Sequence, residues 1–361
     1  DCCRAQASAL SFLFSQNQCH GAKSHMAEGV TAKYLSSSGD FLAKETPGNS
    51  ISSLAWSPVQ DVIAAGSWDN SVYIWEVSGS EVLARASYSL SAPVLSCGFS
   101  RDGSRIISGG CDQQVTVRDL QAQQSTVLGQ HAKPVKYVST VDELNVVVSG
   151  SWDKTLCFWS PQQPKPVVTV QLPERVFAMD VKYPLMVVGV ADRHVLTFNL
   201  DEGLKTELAA TASMFSGLKM QTRSISCFPD KKGFALGGIE GRCSVKSLED
   251  QSQTFTFKCH QTPSCASAVN CLDFHPKMIN TLASVGSDGS FIYWEKAQRK
   301  LLKKFEVSTS SLTTGKFNAS GELFAYAVSY DWSKGHEAFH ENLPRQLAIH
   351  RTKQEELGLP K

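Results

Sequence analysis

Short runs of alternating hydrophobic and polar residues, broken by Gly, Asp or Ser, recur along most of the chain; Ser71-Val72-Tyr73-Ile74-Trp75 is one of them. Such alternation puts apolar side chains on one face of a β-strand. The runs keep a fixed order: an apolar strand, a turn, an apolar strand ending in small residues, an acidic turn, then an alternating strand ending in an aromatic. The clearest copies run from Val62 to Asp69, closing at Trp75, from Val146 to Asp153, closing at Trp159, and from Leu282 to Asp288, closing at Trp294. Weaker copies carry the acidic turn at Asp112, Asp192, Glu240 and Asp331. No copy shows the period of an amphipathic helix.

The seven acidic positions lie 39–48 residues apart, close to the period of about 40–45 residues of a WD-repeat propeller. One four-stranded sheet cannot bury both its faces, whereas a closed ring of seven buries them and leaves only short edges. The expected fold is all-β, a seven-bladed WD-repeat β-propeller. The ring is expected over residues 49–352, with residues 1–48 as an N-terminal extension and 353–361 as a C-terminal tail. Resemblance to WD-repeat proteins implies that residues before Ser52 supply the outermost strand of the last blade. Residues 1–25 carry no strand pattern and are expected to be disordered or extraneous, with Met26 a natural start. The apolar stretch Ala9 to Phe14 is shorter than the core of roughly 7 residues that a secretory leader needs.

Composition narrows the function. Of 361 residues, 42% are hydrophobic and 19% charged, which suits a globular protein with a buried core. The net charge is +1, so binding to nucleic acid or anionic lipid requires a local patch. No apolar run approaches the roughly 20 residues of a membrane helix, and no membrane role is expected. The eleven cysteines include Cys97, Cys111, Cys157, Cys227, Cys243, Cys259, Cys265 and Cys271, scattered and without a CxxC pair. That argues against a metal site and for a reducing compartment. There Asn318-Ala319-Ser320, a glycosylation sequon, has no consequence.

Two sets of side chains invite a hydrolase reading: His131, Ser149 and Asp153 beside Trp159, and His260, Ser284 and Asp288 beside Trp294. In WD repeats, which these blades resemble, the same tetrad is a buried hydrogen-bond network running from Trp to Ser to His to Asp. It occurs twice here, where catalysis would need it once. No G-x-S-x-G elbow, P-loop or strand-borne G-x-G-x-x-G accompanies it. No catalytic residue and no cofactor is expected.

Longer strings are more specific. They are Gln171-Leu172-Pro173-Glu174-Arg175-Val176, Gly237-Gly238-Ile239-Glu240-Gly241-Arg242, Phe255-Thr256-Phe257-Lys258-Cys259-His260, and Ser329-Tyr330-Asp331-Trp332-Ser333-Lys334-Gly335-His336-Glu337. With Gly150-Ser151-Trp152-Asp153-Lys154, they closely resemble the messenger-RNA export factors of the nuclear pore, the Rae/Gle family. A sister family, the Bub-type mitotic-checkpoint WD-repeat proteins, shares some strings but nothing like Ser329 to Glu337. The chain departs from the family at Gln261, where an Arg is usual, and at Trp159-Ser160. The resemblance implies a non-enzymatic scaffold that binds the GLEBS hairpin motif of an FG-repeat nucleoporin and single-stranded RNA, with spindle or checkpoint proteins as further partners. It implies a place in the nucleus at the pore, with shuttling to the cytoplasm. The alternative is a checkpoint subunit binding kinetochore GLEBS-like motifs.

A surface for single-stranded RNA should interleave cations with exposed rings. Blades five and six offer Arg242, Phe257, Lys258, Trp294, Lys296, Arg299 and Lys300, followed by Lys303 and Lys304. The resemblance implies that this neighbourhood takes RNA and acidic peptides. The same residues admit a structural account, since Trp294 belongs to a tetrad and Phe257 can fill a strand core. The strings leave the GLEBS groove unplaced on the ring.

Overall fold

The computed structural model describes residues 39–163, 165–201, 203–204 and 208–358. The expectations for residues 1–25 and Met26 lie outside them. Seven four-stranded antiparallel sheets are arranged as the blades of a propeller. Blade one comprises Ile51–Trp56, Val62–Ser67, Ser71–Ser78 and Glu81–Ser89. Blades two to six repeat that order from Val94, Val135, Val176, Thr222 and Val269. Blade seven contains Leu312–Phe317, Leu323–Ser329 and Arg345–Arg351, and takes its outermost strand from Phe41–Leu42.

Five of the seven acidic positions owe their recurrence to turn chemistry; Glu240 instead accepts Lys219 N–H at 2.9 Å, and Asp192 is itself left-handed. Asp69, Asp112, Asp153, Asp288 and Asp331 each accept the backbone N–H two residues on, at 2.9–3.2 Å. This Asx-turn reverses the chain between the second and third strands of a blade. The residue inside the turn is left-handed: Asn70, Gln113, Lys154, Gly289 and Trp332 have φ between 60° and 78°. Glycine pays nothing there, and a bulky side chain is out of place.

Between blades the apolar faces interlock. Phe158, Met186 and Phe198 fill the space between blades three and four. Phe291, Tyr293, Phe324 and Tyr326 do so between blades six and seven. Cys97, Cys157, Cys227 and Cys243 are buried free thiols in such layers.

Closure reaches beyond the expected boundaries at 49 and 352. Phe41 and Leu42 pair with Ile349 and Ala348, and Ala43 forms a parallel bridge to Val82 of blade one. His350 donates from Nδ1 to Asp40 at 2.7 Å and from Nε2 to Glu356 at 3.0 Å. Burial disfavours its charge, but the two carboxylates outweigh burial and raise its pKa to about 9. Asp40 also accepts the Tyr326 hydroxyl at 2.6 Å. A buried imidazolium thus ties both ends of the ring together.

Candidate functional site

The tetrads form as hydrogen-bond networks. Trp159 Nε1 donates to Ser149 Oγ at 2.7 Å; His131 lies 2.7 Å from the same oxygen through Nε2 and 2.9 Å from Asp153 through Nδ1. In blade six, Trp294 to Ser284, His260 to Ser284 and His260 to Asp288 are each 2.9 Å. A Cβ on Gly286 would fall on the His260 ring, so close approach requires glycine. Ser149 and Ser284 are 0% exposed, beyond the reach of a substrate. Burial works against a charged His131, yet Asp153 and its neighbours raise its pKa to about 9. With both ring nitrogens protonated, His131 has no lone pair to take a proton from Ser149.

The basic–aromatic cluster divides between two faces of blade five. Phe255 and Phe257 pack toward blade six, where Phe257 lies 4.8 Å from Trp294. The Arg299 guanidinium sits 4.5 Å above Phe255, and the Lys296 ammonium sits 3.6 Å above Phe228. Burial pushes the Lys296 pKa down. Lys300 is exposed beside them, opposite Glu295. Arg242 and Lys258 pair with each other at the far end of their strands. Side chains alternate along a strand, so these two face blade four while Phe257 faces blade six. Phe257, Trp294, Lys296, Arg299 and Lys300 therefore gather on one rim; Arg242 and Lys258 lie apart from it. Trp294 is only 9% exposed and serves mainly as the wall behind Phe257.

A second site lies where the innermost strands surround a central channel of about 520 Å³. At the end bearing the acidic turns, Trp68, Trp152, Trp332, Lys136 and Arg223 line its mouth. Trp68 and Trp332 pack with centroids 4.6 Å apart, and Phe339 stacks on Trp332 at 5.2 Å and 9°. Arg223 donates from Nη2 to the Asp331 carbonyl oxygen at 2.8 Å. Its Nη1, and the indole nitrogens of Trp152 and Trp332, are buried donors with no acceptor among the described residues. Burial and the nearby Arg223 charge push the Lys136 pKa down to about 8. Burial acts to raise the Asp331 pKa, but Arg223 and hydrogen bonds from Ser287 and Ser333 hold it below the usual carboxylate value. Elsewhere in the channel Lys316 is neutralised by Asp273 at 2.8 Å. Lys136 has no such ion pair among the described residues. Two cations and three unused donors ringed by indoles suit a carboxylate flanked by carbonyl oxygens.

Reading the sequence missed this site. Arg223 is a lone cation in the strand Thr222–Cys227, with no local pattern around it. The available signal was a tryptophan next to the acidic turn at Trp68-Asp69, Trp152-Asp153 and Asp331-Trp332.

The family described as "WD domain, G-beta repeat" matches residues 39–76, 85–119, 122–160 and 251–295, which fall in the closing strand, blades one, two and three, the outermost strand of blade five and blade six. The chain is 39% identical to the Poly(A)+ RNA export protein of Schizosaccharomyces pombe over 328 residues, 88% of this chain and 92% of that one. It is 39% identical to the mRNA export factor GLE2 of Chaetomium thermophilum, over 84% of this chain and 88% of that one. It is 41% identical to Protein Rae1 of Drosophila melanogaster, over 86% of this chain and 93% of that one.

Proposed function

The chain belongs to the messenger-RNA export-factor family of WD-repeat propellers, the Rae/Gle family, and on that premise we propose that it is a non-enzymatic adaptor of the nuclear pore. It takes the GLEBS-type hairpin of an FG nucleoporin at the channel mouth and single-stranded RNA along the rim of blades five and six. It acts in the nucleus and at the pore, and shuttles to the cytoplasm.

The observation that carries this reading is the divided Arg223 fork, with Nη2 engaged by the Asp331 carbonyl and Nη1 buried without a partner among the described residues. A buried charged donor left unpaired is costly, and a carboxylate on the hairpin would relieve it. On the rim, Lys296 and Arg299 supply phosphate-binding charge beside the half-buried Phe257 ring, the cation–aromatic neighbourhood that single strands use.

The test is a pull-down with a nucleoporin GLEBS peptide and a kinetochore GLEBS-like peptide side by side. Capture of the nucleoporin partner from nuclear extract, with the kinetochore peptide bound more weakly, is the expected result. The reverse preference would make the protein a checkpoint subunit. Labelling of Ser149 or Ser284 by a serine-directed probe would overturn the non-enzymatic reading.

A further inference from the structure

Where the third strand of a blade begins, its first residue stands opposite a residue of the outermost strand. In five blades that pair is polar or charged: Ser71–Ser89, Gln114–Gln130, Thr155–Gln171, Arg242–Lys258 and Ser290–Glu306. In blade four, whose third and outermost strands are His194–Asn199 and Ala212–Phe215, the pair is His194–Phe215. This corner lies on the circumference, and neither residue lines the central channel.

Strand alternation sets the direction of the two rings. Leu196 packs between blades three and four, whereas Met214 packs toward blade five. His194 and Phe215 therefore face the groove between blades three and four. Phe215 is nevertheless 60% exposed, more than any other large hydrophobic side chain among the described residues. The imidazole backs the phenyl ring, with centroids 4.5 Å apart and planes tilted by 31°. The Arg193 guanidinium stands 6.0 Å from the Phe215 centroid.

Arg193 is held there by a strained turn. Asp192 and Arg193 are both left-handed, with φ 61° and 63°. Such strain persists where the surroundings over-determine it, often at a binding site. Ser216 N–H donates to Arg193 O at 2.9 Å, and Arg193 Nη1 donates to the Leu218 carbonyl oxygen at 3.3 Å. Arg193 and the exposed Lys219 have no ion pair among the described residues. A single exposed apolar side chain is ordinary. An exposed ring backed by imidazole and flanked by free cations suits a ligand that is flat, apolar on its face and anionic at its edge.

We infer that this corner of blade four is a second contact for single-stranded RNA, in which an unpaired base stacks on Phe215 and its phosphate meets Arg193. Such stacking tolerates any sequence, because every base has a π-face. The inference rests on the proposed function, since the strand is the one placed on the rim of blades five and six.

The experiment measures fluorescence anisotropy of labelled oligoadenylate, and of the same backbone made abasic throughout. The proteins are wild type, Phe215→Ala, Phe215→Trp and the double variant Lys296→Glu/Arg299→Glu. Phe215→Ala is expected to bind oligoadenylate roughly tenfold more weakly, as fits one lost stacked base. It should keep the wild-type salt slope, because a phenyl ring carries no charge. Phe215→Trp should restore the affinity, and on the abasic strand Phe215→Ala should match wild type. Its melting temperature should stay within a few degrees, since the ring is exposed. Wild-type affinity in Phe215→Ala, with weakened binding in the double variant, would overturn the inference and leave the proposed function standing. An equal loss on the abasic strand would overturn stacking. A peptide of alternating Glu and Phe is titrated in parallel; if Phe215→Ala loses that peptide and not RNA, the corner is a protein-docking site and the inference fails. Failure of the wild type to bind RNA would overturn both.

Discussion

Arg223 of blade five reaches across the channel mouth to the backbone of Asp331 in blade seven, 108 residues away, with an Nη2–O distance of 2.8 Å. One hydrogen bond thus anchors the guanidinium and leaves its other nitrogen, Nη1, buried without a partner among the described residues. Replacing Arg223 with Met keeps the stem and removes the fork. It should weaken a nucleoporin hairpin by two to three orders of magnitude, a loss of about 3–4 kcal/mol for a desolvated charge pair. Surface plasmon resonance should show the change chiefly in the off-rate.

Lys136 gives the same site a pH dependence. Its pKa is pushed down to about 8, and a bound carboxylate would raise it. Hairpin affinity should therefore be highest below pH 8 and fall as pH rises through 8 toward 10, with proton uptake on binding in the upper range. Calorimetry at pH 8.5 in two buffers of different ionisation enthalpy measures that uptake. Lys136→Met should abolish it and flatten the profile.

Ser149→Ala removes the centre of a tetrad and leaves Trp159 Nε1 and one nitrogen of His131 without their shared acceptor. It should cost about 1–3 kcal/mol of stability. Hairpin affinity at a permissive temperature should not change. Denaturant melts and calorimetry on the same sample check both halves.

The closure contacts titrate in the opposite sense to an acid-labile salt bridge. The folded pKa of His350 is about 9, above its ordinary 6.5. Its contribution to stability is complete below pH 6.5 and is lost as pH rises through 9. His131 behaves alike. The melting temperature should therefore decline between pH 6.5 and 9, and His350→Gln should lower it at pH 6.5 and shrink the decline.

On the rim, changing Lys296 and Arg299 to Glu should remove two phosphate contacts and reduce the log–log salt slope of single-stranded RNA binding by about 1.4. Changing Arg242 and Lys258 should leave that slope within error, since they face blade four. A filter-binding salt series with both double variants separates the faces.

The blades were legible because five of the seven acidic turns are local chemistry: an Asp, a left-handed neighbour and an N–H two residues on. The tetrads were legible for the same reason, with each Trp ten residues from its Ser on the adjoining strand. The closing strand was harder, since Phe41–Leu42 is too short to show alternation. The mouth was hidden because Arg223, Lys136 and Trp332 come from three blades and meet only when the ring closes. The grouping of Lys258 with Phe257 fell to a one-residue offset that turns neighbours on a strand to opposite sides.

Asp40 and His350 stand 310 residues apart in the chain. At a ribosomal rate of about 5–20 residues per second, roughly 15–60 s separate the synthesis of the two. Until the end of that interval blade seven lacks its third strand, Arg345–Arg351, and blade one has no closed neighbour on that side. The ring cannot close until the strand Phe41–Leu42 has Arg345–Arg351 to pair with, so closure waits for the last strand of blade seven.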